Sequence, residues 1–206
     1  MNAPEQRRTW AGSTMDERRA QRREQLVTAA RELLGSGSAV SARAVCRAAK
    51  LTERYFYESF DDRDALVVAA YERASQEAVA AIAEAVGDSD GSPEAVARAA
   101  VRVAVEQVVD DPARGHVLIV APLTNPVLFA KREELVPVLT ALIRAQLPGR
   151  TSESERDMVA LGIAGALTQI FYSYLTGRLV VERDAFVEHC VRLLLSAGAM
   201  WAAGPR

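Results

Sequence analysis

The sequence predicts an all-α protein. Along most of the 206 residues, apolar side chains recur at intervals of three and four, as in Leu26, Ala30, Leu33 and Leu34, which places them on one face of a helix. Short segments rich in Gly, Asp, Ser and Pro, such as residues 87–93, separate these stretches and typically end helices. No stretch alternates apolar and polar residues as a half-buried strand does, and no internal repeat is evident.

The N-terminal region is predicted to begin with a mobile tail, residues 1–15, which mixes Pro, Gly, Ser and Thr. The first helix then opens with Asp16 and Glu17, whose negative charges suit the positive end of a helix dipole. Four arginines follow in that helix and are suited to phosphate contacts: Arg18, Arg19, Arg22 and Arg23.

Two short helices joined by a tight turn are predicted within residues 41–60, SARAVCRAAKLTERYFYESF. Ser41 and Thr52 precede the two helices, where a hydroxyl accepts a hydrogen bond from a free backbone N–H of the first turn. Lys50 and Leu51 form the turn. Four apolar residues make the inner side of the pair: Val45, Ala49, Phe56 and Phe60.

The outer side of the second helix carries polar, aromatic and charged side chains: Glu53, Arg54, Tyr55, Tyr57 and Ser59. A short helix with an apolar anchor and such an outer face fits the major groove of DNA. An ordinary helical hairpin has the same pattern, so the pattern alone leaves both interpretations open.

The residues around this pair favour the first interpretation. Read together, residues 26–66 resemble the DNA-binding domain of TetR-family transcriptional regulators. The matching segments are AARELL at 29–34, Ser41, LTERYFYESF at 51–60 and RDAL at 63–66. The chain departs from the family at Lys50, where Gly is usual, at Arg54, where a small residue is common, and at Glu53, where a cation or polar residue is common. These departures concern the operator sequence more than the fold.

The resemblance implies two domains and a set of DNA contacts. Residues 16–66 are expected to form a three-helix, helix-turn-helix DNA-binding domain, and residues 67–206 a helical bundle for effector binding and dimerisation. Arg43 matches a position that reaches the major groove. Three residues match phosphate-contacting positions: Thr52, Tyr57 and Arg63. With the outer face of the second helix, the predicted DNA-binding set is Arg43, Thr52, Glu53, Arg54, Tyr55, Tyr57, Ser59 and Arg63.

The distribution of charge agrees with this arrangement, although the net charge of −2 does not by itself indicate a nucleic-acid-binding protein. Residues 1–54 contain eleven Arg and Lys against six Asp and Glu, a balance of +5, which leaves −7 for the rest of the chain. A basic end opposite an acidic one fits an N-terminal module that faces DNA. A solvated polar face shows the same bias and remains the alternative.

The remaining helices are predicted from apolar periodicity and from Pro and Gly punctuation. They span residues 65–86, 94–109, 112–121, 127–147, 153–179 and 184–201, with a break at 122–126 and a kink or restart at Pro137.

The last two helices carry apolar residues around most of their circumference, which leaves one face uncovered after the other packs on the body. A second copy of the chain is the simplest cover, so we expect a homodimer through residues 153–179 and 184–201. No apolar run reaches the ~18 residues of a membrane span, and the N-terminal segment lacks the apolar core of a signal peptide. We therefore expect a cytoplasmic protein without membrane contact.

Nothing in the sequence favours catalysis or metal binding. His116 and His189 have no second ligand three or four residues away, and nucleophile-elbow, nucleotide-binding and zinc-protease motifs are absent. Cys46 and Cys190 lie in apolar helical patterns and are expected to be buried thiols, with a redox pair as the alternative. We expect a protein that is not an enzyme and uses no cofactor or metal.

The apolar body suits a small-molecule cavity, since such cavities combine apolar walls with a few polar groups. Phe129, Gln169 and Tyr172 are the candidate effector-binding residues, with Gln169 supplying a hydrogen bond and the rings supplying walls. Plain core packing is the alternative for each.

Together, the residues and the resemblance predict a homodimeric, TetR-like transcriptional repressor. It would bind a palindromic operator in double-stranded DNA and be released by a small, largely apolar effector. A helical scaffold or interaction protein, and less favourably an α-helical enzyme, are the alternatives.

Overall fold

The computed structural model describes residues 15–145, 147 and 152–202, with side chains described as far as residue 196. Within these residues the chain is helical and contains no β-strand, which confirms the predicted fold class. The elements are α1 (Met15–Gly35), α2 (Ala42–Ala49), α3 (Glu53–Tyr57), α4 (Arg63–Gly87), α5 (Pro93–Val108), α6 (Pro112–Gly115), a π-helical turn (His116–Val120), α7 (Ala121–Thr124), α8 (Pro126–Arg144), α9 (Glu153–Leu175) and α10 (Arg183–Ala202). The predicted tail lies outside the described residues, except that Met15 is the first residue of α1.

Local sequence sets the start of most of these helices. A side-chain oxygen caps the free backbone N–H groups of the first turn at Ser41 for α2, Asp62 for α4, Ser92 for α5, Asn125 for α8 and Ser152 for α9. At α9 the cap is reciprocal, because Glu155 also accepts from the backbone N–H of Ser152.

A first hydrophobic core joins α1, α2 and α3 to the beginning of α4. Its side chains with at most 1% exposure include Leu26, Val45, Phe56, Leu66 and Val67. Val117 of the π-helical turn and Leu128 of α8 complete it. The core around the N-terminal helices therefore extends past residue 66 into the body of the molecule.

A second core lies among α5, α9 and α10. Phe171 and Phe186 pack edge to face with their ring centroids 5.1 Å apart, a favoured aromatic geometry. Helix α4 packs against α1 on one side and against α5 and α8 on the other, so one continuous helix borders both regions.

The segment between α5 and α8 differs from the prediction. The predicted break at residues 122–126 is confined to Asn125, because α7 runs from Ala121 to Thr124 and contains Pro122 in its first turn. Proline is tolerated there, since the N–H it lacks would have no partner inside the helix. The chain leaves the helical conformation only at Asn125, which caps α8.

The ends of two later helices also differ. Helix α8 continues through Pro137 and ends at Arg144 rather than near residue 147. Helix α9 ends at Leu175 rather than at residue 179. Gly177 has φ of +70°, a left-handed conformation that glycine adopts without steric cost and that ends the helix.

The expectation that no segment could span a membrane needs correction. Among the described residues, α9 is long and apolar enough to cross a bilayer by length and composition, and 17% of its most apolar window is buried. Uncharged polar residues such as Thr168 and Gln169 interrupt the apolar run, which is why the sequence pattern alone does not reveal it. A core helix of a soluble protein passes the same test, but this one is largely uncovered.

Candidate nucleic-acid interface and internal cavity

The pair α2–α3 forms the predicted helix-turn-helix. Ser41 Oγ accepts from the backbone N of Ala44 at 3.2 Å and starts α2. Thr52 occupies the N-cap position of α3, although its side chain makes no capping hydrogen bond. Its hydroxyl is therefore exposed and is not engaged in holding the helix start.

The turn between the two helices depends on a left-handed residue. Lys50 has φ 55° and ψ 38°, and the backbone N of Leu51 donates to Cys46 O at 2.9 Å, which is the hydrogen bond of a Schellman motif. Glycine is the usual residue in this conformation because a Cβ is strained there. The family's preference for Gly at this position thus has a structural reason, and this chain makes the same turn with lysine.

Two aromatic side chains hold α3 on the core. Phe56 is 1% exposed and Phe60 is 6% exposed, and their ring centroids lie 6.0 Å apart. The inner side of the pair is thus the predicted one. In α2, however, Cys46 joins Val45 as the second buried residue, whereas Ala49 is half-buried.

Helix α1 fixes α3 from the other side through three arginines. Arg22 lies over the ring of Tyr55 at 4.4 Å and Arg23 over the ring of Phe60 at 4.7 Å. Arg19 donates to the backbone oxygen of Glu58 at 2.6 Å. These cation–π and hydrogen-bond contacts were missed from the sequence, where the same arginines were assigned to phosphates. They orient α3, and only the positions of Arg22 and Arg23, three and four residues after Arg19, hinted at a shared face.

The predicted DNA-binding residues divide into two groups in the structure. The first group is exposed on α2, on α3 or at its cap and comprises Arg43, Thr52, Glu53, Arg54 and Tyr57. Tyr57 is 63% exposed, which is unusual for a large aromatic residue without a partner surface. The Arg54 side chain is 83% exposed and pairs with Glu58 one helical turn away at 2.8 Å.

The second group makes contacts within the protein. Tyr55 is half-buried under Arg22, and Ser59 Oγ donates to the backbone oxygen of Tyr55 at 3.0 Å. Arg63 donates from Nε to Val40 O at 2.9 Å, which ties the beginning of α4 to the loop before α2. These residues hold the motif together, whatever else they contact.

The two histidines and the two cysteines of the chain lie in the part that the structure describes. Within it no three His, Cys, Asp or Glu side chains cluster as metal ligands. Cys46 and Cys190 are buried and unpaired, as expected. Burial raises the pKa of both thiols, that of Cys190 to about 11, so both remain protonated near neutral pH and are poor nucleophiles.

A large cavity of about 950 Å³ lies in the body, between α4, α5, α8, α9 and α10. Its wall is mostly aliphatic, including Ile82, Val101 and Leu139. This size is at the upper end for small-molecule sites.

The predicted effector-binding residues do not line this cavity. Phe129 is 47% exposed, Gln169 is exposed and donates to Ser173 Oγ at 3.2 Å, and the ring of Tyr172 lies under Arg178. The cavity wall takes Thr168 and Phe171 from α9 instead. Successive helical residues are rotated by about 100°, so the neighbours of these two wall residues point elsewhere.

The cavity adjoins the N-terminal core through the π-helical turn. Leu118 lines the cavity and packs against both hydrophobic cores. The end of α1 also touches α6 closely, because a Cβ added at Gly35 would lie 2.8 Å from Ala113 O. An ion pair between Arg31 and Glu77 at 3.0 Å connects α1 to α4. The N-terminal helices are thus in direct contact with the elements that bound the cavity.

No protein-family model and no curated protein matches the chain, but solved structures do. A TetR-like transcriptional regulator from Rhodococcus sp. RHA1 is 20% identical and has a TM-score of 0.63, over 90% of this chain and 98% of that one. A TetR-family member from Streptomyces coelicolor A3 is 23% identical with a TM-score of 0.66, over 84% and 98%.

A third similar structure contains a bound small molecule. The multidrug binding protein EbrR, complexed with imidazole, is 26% identical with a TM-score of 0.65, over 88% of this chain and 95% of that one. These likenesses cover nearly the whole of each chain and include both the helix-turn-helix and the bundle. The chain therefore has the fold of the TetR-family transcriptional regulators, as residues 26–66 predict from sequence.

Proposed function

We propose that this protein is a DNA-binding transcriptional regulator, a homodimer that represses from a palindromic operator and is released by a small molecule. The observation that carries the proposal is the exposed outer face of α2–α3, which presents Arg43, Arg54 and Tyr57 on helices fixed from behind by buried aromatic rings and by α1. A rigid short helix with such a face fits the major groove.

The side chains on this face are suited to different parts of DNA. Arg43 and Arg54 are assigned to base edges, because a guanidinium donates two parallel hydrogen bonds to guanine. Thr52 and Tyr57 are assigned to phosphates through their hydroxyl groups. Glu53 lies beside them. We assign it to sequence discrimination, because a carboxylate accepts a hydrogen bond from cytosine N4 and repels a phosphate in its place.

The remaining members of the predicted set also make contacts within the protein. Arg63 stays in the proposed phosphate set, because a guanidinium has five N–H donors and its contacts to Val40 and Asp64 use two nitrogens. Tyr55 and Ser59 border the reading helix and contribute by fixing its end.

The dimer is proposed to form through α9 and α10. Met158 of α9 is 62% exposed, and a Cβ added at Gly162, one turn further along, meets nothing within 4 Å. An apolar, small-residue face of this kind allows two helices to approach closely. The corrected helix, Glu153–Leu175, replaces residues 153–179 as the interface element. A twofold pair would place two reading helices about 34–36 Å apart on one face of the duplex.

The effector is proposed to act from the cavity. EbrR, a protein of the same fold, is described as a multidrug binding protein, and the cavity of this chain is large enough for such ligands. A ligand that displaces Leu118 would move the π-helical turn and α6 against the end of α1 at Gly35. A two-state change of that kind alters the separation of the reading helices and lowers operator affinity.

A nuclease footprint on the DNA upstream of the protein's own gene tests the proposal. We expect protection of an inverted repeat whose half-sites are one duplex turn apart, in wild type and not in Arg43→Ala. Binding that is uniform along the fragment and identical in the variant would contradict sequence-specific recognition by α2–α3.

A further inference from the structure

The internal cavity is elongated and follows α4. The wall residues contributed by that helix run from Tyr71 to Val86, a length of about 22 Å at 1.5 Å per residue. At the far end the wall is formed by Val86, Pro93 and Val96, which carry no polar side-chain atom. The cavity thus has the proportions of a chain-like ligand rather than of a compact ring system.

The polar side chains of the wall gather at the other end, nearest the N-terminal helices. Tyr71 and Ser75 lie one turn apart on α4, and the neighbouring Arg132 and Glu133 of α8 also border the cavity. An ion pair of 3.2 Å between Lys131 and Glu72 holds this part of α8 against α4. Two hydroxyl groups and a guanidinium therefore converge on one end of an otherwise aliphatic cavity.

Ser75 is a buried hydroxyl of the cavity wall. It is 4% exposed, and its Oγ makes no hydrogen bond of full geometry among the described residues, although the Tyr71 phenol one turn earlier lies close enough to interact with it. A buried hydroxyl without a partner destabilises the protein, and it is usually paired with another protein group or with water. Thr168, the hydroxyl on the opposite wall, donates to Ala164 O at 2.8 Å and has no unused donor.

Two charged side chains border this end of the cavity, Arg132 and Glu133, and the guanidinium is the more enclosed of the two. Burial raises the pKa of Tyr71, whereas interaction with the Ser75 hydroxyl and then the charge of Arg132 lower it, which indicates that both groups are near the phenol. Arg132 pairs through NH1 with Glu133 at 3.0 Å, but the Glu133 side chain is 53% exposed against 24% for Arg132. One ion pair leaves most of the five guanidinium donors for another acceptor.

We infer that the ligand of this cavity is a single-chain amphiphile with an anionic, carboxylate-like head. The head accepts hydrogen bonds from Tyr71, Ser75 and Arg132, and the apolar tail extends along α4 toward Val86. This inference rests on the proposed function for its consequence, the release of DNA, but the binding itself is independent of it. It goes further than a largely apolar effector, because it fixes the sign of the head and the direction of the tail.

Calorimetric titration of the full chain with matched probes tests the head. We expect tetradecanoate, below its micelle concentration, to bind at least 10-fold more tightly than tetradecanol and more tightly still than tetradecyltrimethylammonium. Octanoate should bind about 100-fold or more weakly, because each buried methylene contributes to affinity. Equal binding of the three heads, preference for the cation, or no binding at all would overturn the inference.

Variants of the head site distinguish specific recognition of the carboxylate from nonspecific hydrophobic binding of the tail. Arg132→Gln and Ser75→Ala should each weaken tetradecanoate about 10- to 100-fold, the range for losing a charge-assisted hydrogen bond, and leave tetradecanol nearly unchanged. Thr168→Val is the matched control, because it removes a hydroxyl from the same cavity whose donor is already used. Equal losses for acid and alcohol, or a loss in Thr168→Val as large as in Ser75→Ala, would contradict the assigned head position.

The operator complex distinguishes this inference from the proposed function. Tetradecanoate binding that depends on Arg132 but leaves a bound operator intact would support the ligand class and contradict effector control. Operator release by an aromatic cation such as ethidium, with no preference for the carboxylate in the titrations, would support effector control and contradict the ligand class.

Discussion

The N-terminal helices bury their apolar side chains more completely than the body of this protein does. Around α2 and α3 the apolar side chains are covered, with Val45 and Phe56 at 0% and 1% exposure, and polar side chains face outward. In the body, aliphatic side chains line a cavity of about 950 Å³, and Met158 lies open on α9. The first region is a closed core with a polar outer surface, whereas the second leaves apolar surface uncovered.

The contrast fits the roles proposed for the two regions. A reading head must hold a few side chains in fixed positions, so dense packing and the contacts of Arg22 and Arg23 serve it. A ligand-sensing body must favour one of two conformations when a ligand binds. Apolar surface that the ligand buries in only one of them provides that difference in free energy. Four predictions test this contrast, from the largest expected effect to the smallest.

Truncation of a core aromatic should be far more costly in the first region than truncation of an aliphatic residue in the second. Phe56→Ala should lower the free energy of unfolding by about 3–5 kcal/mol, because the cavity it leaves cannot collapse against α1. Leu139→Ala, in the cavity wall and 38% exposed, should cost below about 1 kcal/mol. Urea denaturation of both variants measures the difference. Similar losses would mean that the body is packed as tightly as the head.

Bulk added to the open face of α9 should affect assembly and not folding. Gly162→Leu removes a helix-weakening glycine, so the free energy of helix formation should improve by about 0.5–1 kcal/mol. In a dimer it should instead cost about 1–3 kcal/mol at each of the two symmetry-related positions through overpacking. Sedimentation at micromolar concentration should show dimers for wild type and for the control Ala80→Leu, which is exposed on α4, and monomers for Gly162→Leu. Monomeric wild type would remove α9 from the proposed interface.

Loss of a reading arginine should change binding to the operator and leave stability intact. Arg43→Ala or Arg54→Ala should weaken operator binding by about 1–3 kcal/mol and random DNA by less. The ion pair of Arg54 with Glu58 is exposed and contributes less than about 1 kcal/mol to folding. Arg102→Ala, on α5 and 65% exposed, is the control and should bind as wild type does. If operator and random DNA lose affinity equally, both arginines are phosphate contacts.

The smallest effect concerns the turn. Lys50→Gly should stabilise the protein by up to about 1 kcal/mol, since glycine relieves the left-handed strain at φ 55° but orders a more flexible chain. Operator affinity should stay within about threefold, which corresponds to roughly 0.6 kcal/mol. A decrease in thermal stability would show that contacts of the Lys50 side chain stabilise the protein by more than the left-handed backbone strain destabilises it.

The sequence predicts the head better than the body, for a physical reason. Caps and short-range spacing are local signals, so Ser41, Thr52 and the pair Phe56 and Phe60 lie where the pattern places them. The π-helical turn His116–Val120 has no such signal, because an extra residue in a turn leaves the apolar composition unchanged. Pro122 was misread as a break because a helix that starts beside it tolerates it.

A cavity in the body was predicted, but its wall residues could not be, because they come from elements distant in the chain. Gln169 and Tyr172 were chosen for their chemistry, yet the rotation of α9 points their neighbours Thr168 and Phe171 into the cavity instead. The cation–π contacts of Arg22 and Arg23 likewise depend on where α1 crosses α3. The orientation of α9 and the contacts of these arginines depend on how helices pack together, which residue spacing along a single helix does not determine.

The central claim is that the outer face of α2–α3 reads a DNA sequence, and fluorescence anisotropy with a labelled duplex tests it most directly. The footprinted upstream site and a scrambled duplex of the same length and base composition should be titrated with wild-type protein at the same salt concentration. The account predicts saturation at two chains per site and an affinity for the site at least ~10³-fold above that for the scrambled duplex. Equal affinity for the two duplexes would contradict it.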